Sequence, residues 1–138
     1  MRLINKTAII TGSADGIGKA IAIKFAEQGA NVVVCDINGK LGKNVVKLLN
    51  ENAVFVKCDV SVEKDVNNVI KECIKHFKRI DILVNNAGIM NNYSIGKLKV
   101  EDWDRTMAIN LRGVFLFSKA VMPYMRRQKS GKIINISS

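Results

Sequence analysis

The chain has 138 residues, enough for one domain with a hydrophobic core, and its 48% hydrophobic and 25% charged residues are typical of a globular protein. It contains no run of about 18 apolar residues, so neither a membrane-spanning helix nor a membrane partner is expected. The net charge of +10 lies mainly in residues 71–138, but most of these cations are spread singly over predicted helix faces, a pattern that does not favour nucleic-acid binding.

Apolar runs alternate with helical periodicities along the chain. The predicted strands are 6–11, 31–36, 54–58, 80–85 and 132–137. The predicted helices are 16–28, 39–50, 62–77 and 102–128, the last as one or two segments. Val- and Ile-rich strands separated by such helices predict right-handed crossovers and a parallel sheet covered on both faces. We therefore expect an α/β fold with a doubly wound parallel sheet, Rossmann-like in its three αβα layers, that binds ligands at the carboxyl ends of its strands.

A glycine-rich segment, TGSADGIG at residues 11–18, lies between the first predicted strand and the first predicted helix. Gly12, Gly16 and Gly18 have no Cβ where the backbone must turn sharply and approach a ligand closely. The helix that begins there directs free N–H groups and the positive end of its dipole at whatever lies above the turn. This arrangement predicts a phosphate or pyrophosphate site.

Asp36 ends the second predicted strand, and Ile37 and Asn38 follow it. In a dinucleotide-binding fold, an acid at this point accepts hydrogen bonds from the ribose hydroxyls of the adenosine and repels a 2′-phosphate. No arginine lies beside it or in the glycine-rich segment, so the sequence favours NAD over NADP. The alternative is a solvated aspartate at the end of a strand.

Cys35, Cys58 and Cys73 are unclustered and lie in apolar segments. They are typical of buried, reduced thiols and not of a disulfide or zinc framework, so we expect a cytoplasmic protein without a metal site. His76, near the end of a predicted helix, has no metal-binding partner at a useful spacing and is interpreted as partly exposed.

Polar pairs end two of the predicted strands. Asn85 and Asn86 follow the fourth, and Ser137 and Ser138 follow the fifth, so all four lie at the carboxyl edge where a doubly wound sheet binds its ligand. Either pair could instead form a turn by bonding its own backbone. Two such strand ends near a glycine-rich turn favour the binding site.

The last predicted helix is apolar on more than one side. One expected stripe consists of Met107, Leu111, Val114, Phe115, Val121, Met122 and Met125, with Leu116, Phe117 and Ala120 as apolar surface elsewhere. Such a helix is covered on more than one side. Two interpretations stay open: a core helix with a wide buried face, or an interface through which the 107–128 helix forms a homo-oligomer.

The glycine spacing G-x3-G-x-G resembles that of the short-chain dehydrogenase/reductase family, and later segments resemble four further motifs of that family in the same order. These include CDV at residues 58–60, similar to the adenine-binding segment in which the acid reaches the amino group of the base, and NNAG at residues 85–88, which in the family steadies the sheet beside the cofactor. The cofactor-binding residues that the resemblance implies are Gly12, Ser13, Asp15, Gly16, Ile17, Gly18, Asp36, Ile37, Asp59, Val60, Asn86, Ala87 and Gly88.

The resemblance also implies two catalytic residues. Asn110, in MAINLRG, matches the asparagine of the family's catalytic tetrad, which holds a kinked helix and a proton-relay water. Ser138, the last residue of KIINISS, matches the catalytic serine and is favoured over Ser137 by its place in the motif.

The family resemblance implies an NAD(H)-dependent oxidoreductase that transfers hydride between nicotinamide and an alcohol or carbonyl substrate, with NADP the less favoured cofactor. Its reaction needs a Tyr-x-x-x-Lys about a dozen residues beyond the serine, and the printed sequence ends at Ser138. We therefore expect residues 1–138 to be an incomplete dinucleotide-binding domain, truncated after the fifth strand and without turnover by itself. The alternative is a non-catalytic nucleotide-binding or interaction module.

The aromatic side chains are expected to have other roles. Tyr93 and Lys97 have the Tyr-x-x-x-Lys spacing, but the intervening Gly96 and the flanking asparagines predict a loop, with Tyr93 at most a wall on the substrate side. Tyr124 is interpreted as packing on the long helix, and Trp103 as part of the core.

Overall fold

The computed structural model describes residues 1–137. Its strands are β1 (Thr7–Thr11), β2 (Asn31–Asp36), β3 (Ala53–Lys57), β4 (Ile82–Asn85) and β5 (Lys132–Asn135). Its α-helices are α1 (Gly16–Glu27), α2 (Gly39–Leu48), α3 (Glu63–Phe77), α4 (Val100–Met107) and α5 (Gly113–Gln128). A 3₁₀ turn covers Asn50–Asn52, and a π-helical segment, Ala108–Arg112, joins α4 to α5.

The five strands form one parallel sheet in the order β3-β2-β1-β4-β5. The chain first winds outward from β1 to β3 and then returns to place β4 on the other side of β1. Its direction therefore reverses between β1 and β4, which is the point where an open α/β sheet binds its ligand. The predicted doubly wound α/β fold is confirmed.

The sheet is covered on both faces, and β2 illustrates how. Val33 and Cys35 pack in a core cluster with residues of α3 and α5, whereas Val32 and Val34 pack in a second cluster with residues of α1 and α2. All four side chains are fully buried. Alternate residues of a strand point to opposite faces, so a continuous apolar run is what a central parallel strand between two helical layers requires.

The helix α5 is apolar on more than one side, and the residues expected to form one stripe differ in burial. Its buried residues are Gly113, Leu116, Phe117, Val121 and Met125. Leu111, Phe115 and Met122, which were expected in the same stripe as Val121 and Met125, are exposed. The helix is apolar on several sides, so hydrophobicity alone did not indicate which side meets the sheet.

Trp103 is not a core residue, contrary to the sequence interpretation. It lies on α4 and is 52% exposed. None of the residues of α4 is buried, so this short helix offers the indole ring no core to enter. Tyr124, in contrast, packs partly buried against the core as expected.

Three other sequence expectations, on the cysteines, Tyr93 and His76, are confirmed. The three cysteines are buried and unpaired. Tyr93 lies in an exposed loop. His76 is partly exposed near the end of α3, with its Nε2 at 3.5 Å from Glu72. Within residues 1–137, no helix is both long and apolar enough to cross a membrane.

Gln128 attaches the end of α5 to the segment that enters β4. Its Oε1 accepts the backbone N–H of Ile80 at 3.1 Å, and its Nε2 donates to the backbone carbonyl of Ile80 at 2.7 Å. One amide side chain thus satisfies both polar groups of a fully buried residue, at a point where no strand ladder is available to do so.

Asp81 aligns three strands at their amino ends. Its carboxylate accepts the Thr7 N–H at 2.9 Å and pairs through both oxygens with Arg79, at 2.7 Å each. Its backbone N–H donates to Thr7, and its carbonyl accepts from Lys132, at 2.9 Å each. Burial raises the pKa of Asp81, but the hydrogen bonds and charges of Arg79, Thr7 and Lys6 outweigh it and hold this pKa below its ordinary value.

We predict that Asp81→Asn lowers the free energy of unfolding by about 2 kcal/mol at pH 7, because it weakens hydrogen bonds to a buried charge. The folded-state pKa is depressed, so the stabilisation is complete above the unfolded-state pKa of about 3.9 and is lost as the pH falls through the folded-state pKa. Urea unfolding of both proteins from pH 7 to pH 3 should show their difference shrinking at the acid end. The control Glu27→Gln, which disrupts an exposed pair with Lys24, should cost about 0.5 kcal/mol or less. A difference that stays constant with pH would contradict this account.

Candidate functional site

A cavity of about 300 Å³ opens beside the carboxyl ends of β1, β2 and β4. Its volume is within the range of small-molecule and cofactor sites. The predicted cofactor-binding residues that line it are Gly12, Asp15, Asp36, Ile37, Asp59, Val60, Asn86, Ala87 and Gly88. The fold therefore brings together residues from four separate segments of the sequence.

The glycine-rich turn forms one side of this cavity. Gly12 and Gly16 have positive φ angles of 62° and 54°, which glycine adopts without steric cost. A Cβ on Gly18 would overlap the carbonyl oxygen of Gly12 and the side-chain amide of Asn86. Each glycine thus has a different requirement: a left-handed backbone at Gly16, close packing at Gly18 and both at Gly12.

Asp15 and Ser13, in the same turn, form hydrogen bonds within the protein. Asp15 caps α1 by accepting the N–H of Gly16 at 2.8 Å. Ser13 is fully buried; its hydroxyl donates to the carbonyl of Ile10 at 2.6 Å and accepts the N–H of Cys35 at 3.0 Å. The Ser13 side chain therefore joins β1 to β2 and is not part of the cavity lining, and its backbone N–H also donates to the carbonyl of Cys35, at 3.3 Å.

The first turn of α1 contains the other predicted residues of this segment. Gly16, Ile17 and Gly18 lie beside the cavity but are not among the residues that line it, and the Ile17 side chain is exposed. The first N–H groups of an α-helix have no carbonyl partner within the helix. This helix start can therefore contribute N–H donors to an anion near Gly12.

Asp36 connects the end of β2 to the glycine-rich turn. One carboxylate oxygen accepts the N–H of Ala14 at 3.0 Å, and the other accepts the N–H of Asn38 at 2.9 Å. A carboxylate has about four lone-pair sites, so two remain for a ligand in the cavity.

Thr11 and Asn86 bind the ends of β1 and β4 together. The Thr11 hydroxyl oxygen accepts the N–H groups of Asn86 and Ala87 at 3.0 Å each. The Asn86 amide donates to the carbonyls of Thr11 and Gly12, at 3.0 and 3.1 Å. These bonds place Asn86 beneath the cavity, as a support for the turn.

Asn85, which precedes Asn86 in the sequence, is buried at the end of β4. Its amide donates to the side chain of Asn135 on β5 at 2.9 Å. Asn85 therefore links neighbouring strands and does not line the cavity.

Asp59 lies on the other side of the cavity, after β3. One carboxylate oxygen accepts the N–H and the hydroxyl of Ser61 at 3.0 and 2.6 Å, and the other accepts from Arg105 at 3.0 Å. Burial raises the pKa of Asp59, but the bonds from Ser61 and the charge of Arg105 outweigh it and hold this pKa below its ordinary value. Asp59 is therefore ionised and acts only as an acceptor at neutral pH.

Asn110 lies in the π-helical segment and binds the loop that follows β4. Its Oδ1 accepts the N–H of Ile89 at 2.9 Å, and its Nδ2 donates to the carbonyl of Ile89 at 2.8 Å. Ser137 is exposed beyond β5, and Ser138 lies outside the described residues. Of the two predicted catalytic residues, only Asn110 is described; it does not itself line the cavity but binds Ile89, which does.

Four lining residues were missed by sequence reasoning: Cys58, Ile89, Arg105 and Ile109. Cys58 and Ile89 are direct neighbours of predicted residues. Arg105 and Ile109 come from α4 and the π-helical segment, and their spacing of four residues on one helix face was the available signal.

The lining suits a dinucleotide. Glycine-rich backbone at a helix start can receive a pyrophosphate, and the acceptor groups of Asp36 and Asp59 can receive hydroxyl or amino donors on the other side. Among residues 1–137, no three His, Cys, Asp or Glu side chains are grouped as they would be to bind a metal ion.

Comparison with known proteins shows which family this sequence resembles. A family model described as short chain dehydrogenase matches residues 6–138. An uncharacterized oxidoreductase of Thermotoga maritima is 43% identical over 141 residues, which cover 100% of this chain and 55% of that protein. A 3-oxoacyl-[acyl-carrier-protein] reductase of the same organism is 39% identical over 100% of this chain and 57% of that protein.

A plant relative gives a similar result. Tropinone reductase-like 1 of Erythroxylum coca is 41% identical over 99% of this chain and 52% of that protein. The chain thus spans about half the length of the curated relatives that it matches.

We predict that Gly18→Ala lowers the free energy of unfolding by about 3 kcal/mol, because the new methyl group must displace both the Gly12 backbone and the Asn86 amide. Gly16→Ala should cost only about 1 kcal/mol, because nothing lies within 4 Å of the added Cβ and only the positive φ is unfavourable. Urea unfolding measures both variants. Equal losses would show that close packing at Gly18 is not the dominant constraint.

Proposed function

This chain belongs to the short-chain dehydrogenase family, and we propose that residues 1–138 form the dinucleotide-binding domain of an NAD(H)-dependent oxidoreductase. The proposed reaction transfers hydride between nicotinamide and an alcohol or carbonyl substrate. The observation that carries the proposal is the cavity, in which the turn before α1, at Gly12 and Asp15, and two hydrogen-bonded carboxylates line one space.

The residues of this chain would divide the binding of the cofactor among them. The turn at Gly12 and the start of α1 would receive the pyrophosphate, because their N–H groups and the helix dipole favour an anion. Asp36 would accept from the ribose hydroxyls, and Asp59 from the amino group of adenine. When bound, the nicotinamide ring would supply or accept the hydride.

Asp36 is the basis for proposing NAD in preference to NADP. A 2′-phosphate placed at the ribose would meet a carboxylate already held in place by the N–H groups of Ala14 and Asn38. The two negative charges would repel each other, and neither of the two residues that follow Asp36 in the sequence is a cation.

Asn110 is proposed to act in catalysis by holding the π-helical segment and a proton-relay water in place. Its two bonds to Ile89 support the first of these roles. Ser138 is proposed as the catalytic serine.

We also propose that the protein works in the cytoplasm. Its three cysteines are unpaired and buried, and burial raises the pKa of the Cys73 thiol to about 12. Such thiols are unreactive and suit a reducing compartment.

We propose further that two copies of the chain associate through the exposed face of the 107–128 helix. Leu111, Phe115 and Met122 lie exposed on this face, and Phe115 is 60% exposed. Their burial against a second copy would remove apolar surface from water at about 25 cal/mol per Å².

For the cofactor, we predict that Asp36→Asn weakens NAD binding by about tenfold and narrows the preference for NAD over NADP, because the fixed negative charge is lost. Calorimetric titration of each cofactor measures both effects. Asp104→Asn, an exposed acid on α4, is the matched control and should leave both affinities unchanged. Equal binding of NAD and NADP by the unsubstituted protein would contradict the NAD assignment.

For the association, we predict that Phe115→Glu converts a dimer into a monomer in sedimentation velocity, because a charge cannot be buried unpaired at an apolar interface. Ile95→Glu places the same charge on a loop residue that is also exposed and should leave the dimer intact. A monomeric unsubstituted protein at tens of micromolar would refute the proposed interface.

A further inference from the structure

We propose that Arg105 is a positioning residue that makes the cofactor site specific for adenine, by fixing the Asp59 carboxylate as an acceptor for the amino group of the base. This inference rests on the proposed function, because it requires that the cavity bind an adenine dinucleotide.

Arg105, Asp59 and Ser61 form a closed network at one side of the cavity. Arg105 Nη2 donates to Asp59 Oδ2 at 3.0 Å, and Arg105 Nη1 donates to the Ser61 hydroxyl oxygen at 3.3 Å. The Ser61 hydroxyl and N–H in turn donate to Asp59 Oδ1, at 2.6 and 3.0 Å. Both oxygens of the carboxylate are therefore held, from two directions.

The network joins segments that are distant in the sequence. Asp59 follows β3, whereas Arg105 lies on α4, 46 residues later. Both line the same cavity, and so does Ile109, one helical turn after Arg105. The Arg105 side chain is 47% exposed, so this ion pair contributes little to stability. The effect of the ion pair is instead to fix the orientation of the Asp59 carboxylate.

The orientation of the Asp59 carboxylate matters because the network leaves few of its acceptor sites free for a ligand. A carboxylate has about four lone-pair sites, and Ser61 and Arg105 use three of them. The remaining site can accept from the amino group of adenine, a donor, but not from hypoxanthine, which has a carbonyl oxygen at the same position. Without Arg105, Asp59 Oδ2 loses its partner and the carboxylate can turn towards water.

The test compares NAD with nicotinamide hypoxanthine dinucleotide, which differ only in the base. Calorimetric dissociation constants are measured for the unsubstituted protein, Arg105→Met, Asp59→Asn and the double variant. The unsubstituted protein should prefer NAD by about tenfold or more, the range of one hydrogen bond to a charged group. Arg105→Met should reduce this preference by about threefold or more.

The double variant shows whether Arg105 acts through Asp59. If it does, Arg105→Met should cause no further change in the preference once Asp59→Asn is present. Lys99→Met, which removes one positive charge just before α4, is the matched control and should leave the preference unchanged. Arg105→Lys retains the charge without the fork of donors, and we expect an intermediate preference.

Two results would overturn the inference. Equal losses of affinity for both dinucleotides in Arg105→Met would mean that Arg105 only supports the fold. A preference for NAD that increases in this variant would mean that Arg105 donates to the base itself. If the unsubstituted protein binds neither dinucleotide, the proposed function fails instead. Urea unfolding of each variant identifies losses that come from misfolding.

Discussion

The close approach of β1 and β4 at their carboxyl ends is the constraint on which the rest of the structure depends. The Thr11 hydroxyl and the Asn86 amide together make four hydrogen bonds across this gap. The Asn86 amide also occupies the space that a Cβ on Gly18 would need. The glycine-rich turn, the start of α1 and the floor of the cavity are thus fixed by one set of contacts, and none of them can shift alone.

The electrostatics of the cavity follow from how its carboxylates are held. Asp36 is held by two backbone N–H groups, and Asp59 by Ser61 and Arg105. Neither acid needs a ligand in order to be stable, yet each keeps acceptor capacity for one. Such a site is organised before binding, which reduces the ordering that a ligand must induce.

The sequence predicted what depends on local pattern. Strand alternation with helices and the glycine-rich turn were sufficient for the fold class, because apolar periodicity and backbone freedom are properties of neighbouring residues. Arg105 was missed because its partner Asp59 is 46 residues away, and only the fold brings the two together. The exposed position of Trp103 was missed for a related reason: an apolar side chain does not specify which surface covers it.

The π-helical segment determines how α5 is rotated about the helix axis relative to α4. Its hydrogen bonds join residues five apart, so it contains one residue more than an α-helical turn would. Asn110 can therefore reach Ile89 while Phe117 and Val121 still face the sheet. A deletion of one residue within 108–112 would restore regular winding and rotate all of α5 by about 100° relative to α4. The buried side chains of α5 thus face the sheet only when this extra residue is present. The π-helical segment acts as a spacer between the site and the core.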